Sequence, residues 1–157
     1  MTLVVLVGPM GAGKSTVAEL LATAYGVTAR DTDADVEAAA GRTISDIFVD
    51  SGEAHFRELE RAAVAEALAS HDGVLALGGG AVLDPSTREL LADHRVVFLR
   101  VGLGTSRPLL LGNVRSRIKA LLDERTPVYE SVADFVVDTD QRSPEDVADE
   151  IRKVWPE

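Results

Sequence analysis

Cysteine is absent from the 157-residue chain, so neither disulfides nor thiolate metal sites are available, and a reducing compartment is permitted. Basic side chains are few beside acidic ones. Sixteen Lys and Arg against 26 Asp and Glu give a formal net charge of −10, which argues against general affinity for nucleic acid or an anionic membrane. Any phosphate site must therefore be locally basic. No apolar stretch approaches membrane-spanning length, and Met1-Thr2-Leu3 runs into a strand-like segment without a basic leader or cleavage region, so the expected location is cytoplasmic. The histidines, His55, His71 and His94, lack metal-ligand spacing and need no catalytic role. Repeats, linkers and low-complexity segments are also missing. What remains is 46% hydrophobic residues, enough for the core of one α/β domain over residues 1–157. Nothing proposes a protein partner, and a monomer is expected.

The stretch that organises the chain is Gly8-Pro9-Met10-Gly11-Ala12-Gly13-Lys14-Ser15, which fits the pattern Gly, four free positions, Gly-Lys and then Ser or Thr. Leu3 to Val7 before it suits a buried strand, and Val17, Leu20, Leu21, Ala24 and Tyr25 after it recur at helical spacing. Glycine permits a tight curl whose N–H groups point inward, and the new helix adds its positive dipole end to the same concavity. A polyphosphate belongs there. Lys14 would reach the outer phosphates, and the Ser15 hydroxyl would hold a Mg²⁺ bridging them.

Further along, Gly26-Val27-Thr28 opens a short extended segment ending at Arg30-Asp31-Thr32-Asp33. Two carboxylates at alternating positions near a strand's carboxyl end can border the phosphate loop, one orienting the metal's waters and the other accepting from a substrate hydroxyl. Either acid can equally cap the helical stretch from Ala34 to Ala40. Gly41 ends that stretch, Thr43 or Ser45 opens a short turn, and a longer helix runs from about Gly52 with Phe56, Leu59, Ala63, Val64, Ala67 and Leu68 as its apolar stripe. Arg57 lies at the stripe's edge, where it either faces a cleft or pairs with Glu53 or Glu60. Val74 to Leu77 reads as a strand, and Gly78-Gly79-Gly80 directly after it implies close backbone approach to a ligand. Asp84-Pro85-Ser86 starts another helix, followed by strands at Val96 to Leu99 and Phe135 to Val137 and a final amphipathic helix carrying Val147, Ile151 and Val154. Between Arg95 and Leu122 the chain has five arginines and Lys119 but no acid, and Leu103 to Pro108 is expected to form a mobile flap bringing Arg107 onto phosphates.

The ordered set resembles the shikimate kinases of the P-loop nucleoside monophosphate kinase-like group. It comprises Gly8 to Thr16, Asp31-Thr32-Asp33, Gly41 to Ile44 with Asp46-Ile47-Phe48, Gly52-Glu53 with Phe56-Arg57, Gly78 to Gly80, Arg107-Pro108-Leu109-Leu110 and Arg125 to Tyr129. The resemblance implies a three-layer α/β/α fold with a five-stranded parallel sheet and a mobile lid at about 103–113. It further implies ATP-dependent phosphorylation of the shikimate 3-hydroxyl, with Mg²⁺. By that likeness Lys14, Asp33 and Arg107 are catalytic, while Gly11, Ala12, Gly13, Lys14, Ser15, Thr16, Arg107 and Arg142 contact ATP. Asp33, Arg57, Gly79, Gly80 and Arg125 would hold shikimate, and Ser15 and Asp31 the metal, Asp31 through water.

Two departures accompany the likeness. Only Arg100 to Ser106 separate Leu99 from Arg107, where the family usually has an additional helical segment, which leaves Arg100 as the only arginine available for the adenine side just before the lid. Ala76 stands where many relatives carry a hydroxyl associated with the metal's water shell. A gluconate-type kinase, or a nucleotide-binding protein whose lid is too short for turnover, remain as alternatives.

Overall fold

The computed structural model describes residues 2–9, 11–101 and 124–156. The expected lid, with Arg107 and the basic positions 115, 117 and 119, lies outside them. Five strands, β1 (Val4–Val7), β2 (Ala29–Asp31), β3 (Val74–Ala76), β4 (Val96–Arg100) and β5 (Phe135–Asp138), form one sheet in the order β2-β3-β1-β4-β5, every neighbouring pair parallel. The expected three-layer α/β/α architecture is what forms.

Strand side chains alternate between faces, and both faces of this sheet are covered, so β1 is apolar throughout rather than alternating with polar residues. Val4 and Leu6 join one core with Val97, Leu99 and Val137, under helices α1 (Lys14–Tyr25) and α6 (Pro144–Val154). Val5 and Val7 join the opposite core with Leu75, Phe98 and Tyr129, under α3 (Ile44–Ser70), α4 (Pro85–Leu91) and the helical residues 124–132, α5. Each fully buried aliphatic side chain contributes roughly 1.5–3 kcal/mol through removal from water. A smaller cluster of Val36, Ile47 and Phe56 seats α2 (Thr32–Ala40) on α3.

The helix boundaries refine the sequence expectations. Asp31 is the cap of α2, its Oδ1 accepting from the Asp33 and Ala34 amides at 2.8 and 3.4 Å, so the helix starts at Thr32, ahead of Ala34. The short turn after Thr43 and the longer helix after Gly52 form one run, broken only where Gly52 takes non-helical angles of φ 85 and ψ 167. Val154 at the end of the last apolar stripe is 43% exposed, whereas Val147 and Ile151 are buried.

The topology explains where a ligand fits. Adjacent strands β1 and β3 are followed by helices on opposite faces, α1 with the first core and α4 with the second. Their carboxyl ends therefore part, leaving a crevice at a topological switch point. The phosphate loop borders it on one side and the triple-glycine turn on the other. Gly8 admits no substitute at the loop's first position: a Cβ there would lie 2.6 Å from the Leu99 carbonyl oxygen of β4, and its φ is 147.

Candidate active site

Lys14 opens α1 directly after Gly13 and folds its ammonium back over its own loop, donating to the Gly8 and Pro9 carbonyls at 2.6 and 3.0 Å. The first amides of a helix have no intrahelical acceptor, so Lys14, Ser15 and Thr16 open the helix where an anion is best received. Burial brings the Lys14 ammonium down to about 8, an effect that Asp33 and Asp31 oppose and Arg125 reinforces. Ser15 Oγ donates to Asp31 Oδ2 at 2.6 Å, joining the loop to the end of β2.

Asp33 is in the first turn of α2, and its carboxylate points at the triple-glycine turn. A Cβ on Gly78 would stand 2.4 Å from Asp33 Oδ1 and 3.1 Å from Glu60 Oε2. Loss of water pushes the Asp33 carboxyl up to about 6; neighbouring Asp31, Glu60 and Glu37 add to the rise, and Lys14 opposes it. An acid and a base of these values beside a phosphate loop suit proton handling near neutrality.

The opposite side of the crevice is built from α3 and the glycine turn. Arg57 Nη1 donates to Glu60 Oε1 at 2.8 Å, Nη2 reaches Glu53 Oε2 at 3.4 Å, and the guanidinium carbon sits 5.2 Å from the Phe56 ring centroid. Both readings of Arg57 hold together: it is ion-paired, and it also faces the crevice, since a Cβ on Gly80 would lie 2.6 Å from its Nη1. A cleft of about 310 Å³ opens beside it, bounded also by Arg61, Gly80 and Asp84. Arg125 on α5 acts electrostatically on Lys14, Glu60 and Tyr129 alike, so it too belongs to this neighbourhood.

A second cleft, of about 250 Å³, runs from Gly11, Ala12 and Gly13 to Val101, Asp140 and Arg142. Arg142 borders it while donating to the Asp138 and Asp146 carbonyls at 3.1 and 3.2 Å and pairing with Glu150 at 2.6 Å. Arg100 closes β4 and forks onto the Asp138 carboxylate of β5 at 2.6 and 2.9 Å, a cross-strand pairing at the end of the sheet.

Three residues of the crevice, though named within sequence motifs or beside Arg57, had no site role assigned from sequence. Glu60 is only 4% exposed and burial raises its carboxyl, with Arg57 and Arg125 acting against the rise. Its signal was its phase, four residues after Phe56 and four before Val64, squarely within the apolar stripe. Thr32, fully buried, accepts the Gly78 amide at 3.2 Å through Oγ1. Tyr129 donates to the Gly79 carbonyl at 2.5 Å.

For a divalent ion the available donors are hard oxygens, the Ser15 hydroxyl and the Asp31 carboxylate, which fit Mg²⁺ held mainly by phosphates and water. Among the described residues no group of three or more His, Cys, Asp or Glu is arranged to hold a metal by itself, and no helix is long and apolar enough to cross a membrane.

The family model for shikimate kinase matches residues 10–155. The shikimate kinase of Thermobifida fusca is 56% identical, covering 98% of this chain and 95% of its own length, and that of Salinispora arenicola is 58% identical over 94% and 93%. Among solved structures, the shikimate kinase from Acinetobacter baumannii in complex with shikimate is 36% identical with a TM-score of 0.87, covering 96% of this chain and 90% of that one. The Aquifex aeolicus enzyme is 30% identical with a TM-score of 0.84. With a P-loop, paired acids and a glycine turn on one sheet edge, and with relatives alike over nearly their whole length, the chain belongs to the shikimate kinase family.

Proposed function

We propose that the protein transfers the γ-phosphoryl group of ATP to the 3-hydroxyl of shikimate, yielding shikimate 3-phosphate and ADP in aromatic amino acid biosynthesis. It acts as a single cytoplasmic kinase domain and as a monomer. The observation that carries this reading is that Asp33 and Arg57 both abut one glycine turn, at Gly78 and Gly80. A reacting hydroxyl and a carboxylate of the same small molecule would thereby be held at two points of one rigid peptide segment.

Asp33 accepts the hydrogen bond of the attacking hydroxyl and takes its proton as the new O–P bond forms and the bond to the β–γ bridging oxygen breaks. With its carboxyl near 6 it is ionised at neutral pH and basic enough for the task. Lys14 carries positive charge to the transferring group, and Arg107 of the lid would close over the same phosphates. Arg57 and Arg125 take the shikimate carboxylate, whose planar geometry matches a guanidinium fork, while Gly79 and Gly80 offer backbone contacts. Gly11, Ala12, Gly13, Thr16 and the Ser15 amide cradle the ATP phosphates, and Arg142 lies on the adenine side. Ser15 and, through water, Asp31 would hold Mg²⁺, which would neutralise charge on the ATP phosphates.

The test is ADP release by purified protein with Mg²⁺ and ATP, comparing shikimate, gluconate and no acceptor. Turnover that requires shikimate is expected. Turnover with gluconate alone, or ATP binding without turnover on any acceptor, overturns the proposal.

A further inference from the structure

The triple-glycine turn has no side chains with which to fix itself, yet the crevice depends on the direction of its amides. Two hydroxyls hold it from outside. Thr32 Oγ1 accepts the Gly78 N–H at one end, and the Tyr129 hydroxyl donates to the Gly79 carbonyl in the middle. Tyr129 is 1% exposed, and its ring packs on Phe98 with centroids 5.0 Å apart, so the phenol is anchored in the second core while only its tip reaches the site.

The chosen acceptor has a geometric consequence. The Gly79 C=O and the Gly80 N–H belong to one peptide unit, and all peptide bonds described are trans, so these two groups point in opposite directions. Holding the carbonyl on Tyr129 turns the Gly80 N–H away from α5. The backbone bonds of the turn run from Ala81 N to Gly78 O and from Leu83 N to Gly80 O, leaving the Gly80 N–H without a backbone acceptor among the described residues. The same residue lies against Arg57. Arg125 is one helical turn before Tyr129 on α5, and its guanidinium acts on the same hydroxyl.

We propose that Tyr129 is a positioning residue for the acceptor site: its hydroxyl fixes the Gly79–Gly80 peptide so that the Gly80 N–H donates to an oxygen of the bound hydroxy acid. It also sets the Arg125 helix in register with that peptide. The inference rests on the acceptor-site reading above and assigns to a buried phenol a share in substrate affinity that it exerts without touching substrate.

Tyr129→Phe keeps the ring against Phe98 and removes only the hydroxyl. The expected result is a three- to tenfold rise in the shikimate Kd and KM, about what one lost hydrogen bond brings, with the ATP Kd within twofold of wild type. Equal loss of ATP and shikimate affinity, or no change in either, overturns the inference. In wild-type protein labelled with ¹⁵N-glycine, titration with shikimate should move the Gly80 amide resonance strongly downfield; an unmoved Gly80 amide overturns it whatever the stability of the variant. Arg57→Ala is measured alongside. If it weakens shikimate binding while Tyr129→Phe does not, the Tyr129 role alone fails; if Arg57→Ala also leaves shikimate affinity unchanged, the acceptor-site reading fails with it.

Discussion

Ser15 and Asp31 share one hydrogen bond, 2.6 Å from hydroxyl to Oδ2, while the other carboxylate oxygen of Asp31 caps α2. One side chain thus serves the phosphate loop and the helix that carries Asp33. The two duties separate by mutation. Asp31→Asn retains an oxygen for the cap but loses the charge, so thermal unfolding should stay near wild type while the Mg²⁺ concentration for half-maximal rate rises about tenfold. Asp31→Ala should show the same metal requirement and lose about 1 kcal/mol of stability besides. Magnesium titrations of rate together with melting curves check both.

The pH profile of kcat/KM for shikimate should be bell-shaped. Its acid limb follows protonation of Asp33 near 6, and its alkaline limb follows loss of the Lys14 proton near 8 in the free enzyme. Stability carries its own signature. The Asp33 carboxyl titrates higher folded than unfolded, so the folded state binds more protons between about pH 4 and 6, and stability falls as pH rises through that window. Neutral Asp33→Asn should therefore melt about 3–5 °C higher than wild type at pH 8, with no gain at pH 3.5, while losing transfer. A variant that melts lower at pH 8 would contradict this sign.

Arg57→Ala removes the partner of a carboxylate that is only 4% exposed. Shikimate affinity should fall at least tenfold with ATP affinity preserved. Stability should fall by about 2 kcal/mol, because Glu60 is left buried without its hydrogen-bonded cation. Adding Glu60→Gln should restore much of that stability but none of the shikimate affinity, a dissociation read by denaturant unfolding and calorimetry on the double variant.

Alanine at two glycines of the same turn should give different kinetic defects. At Gly80 the new methyl meets the Arg57 guanidinium, so Gly80→Ala should chiefly raise the shikimate KM. At Gly78 it meets the Asp33 carboxylate, so Gly78→Ala should chiefly lower kcat. Steady-state kinetics with saturating ATP separates the two; identical defects in both would contradict the assignment.

The features legible in sequence were those in which local backbone chemistry sets the requirement. The P-loop, the paired acids after β2 and the triple glycine each need a particular residue at a particular chain position, so they could be found without knowing what lies across the crevice. Strand positions were legible because a doubly covered sheet leaves continuous apolar runs. The supporting residues depended on contacts distant in sequence. Glu60 is put in the apolar stripe by its phase, but what it meets there depends on α3 packing against the turn after β3, and Arg100 resembles a free cation until β5 brings Asp138 beside it. Tyr129 reaches Gly79 across 50 residues of chain, which no spacing rule encodes.

The two clefts differ in what they are made of. The cleft beside the phosphate loop is bounded by Gly11, Ala12 and Gly13, of a motif that many proteins share, and by Val101, Asp140 and Arg142. The cleft beside Arg57 is bounded by Arg57, Glu60, Arg61 and Asp84, held in opposed charges by their own pairings. If the proposed function holds, an anionic ligand that engages Arg57 should discriminate among P-loop proteins where an ATP mimic would not.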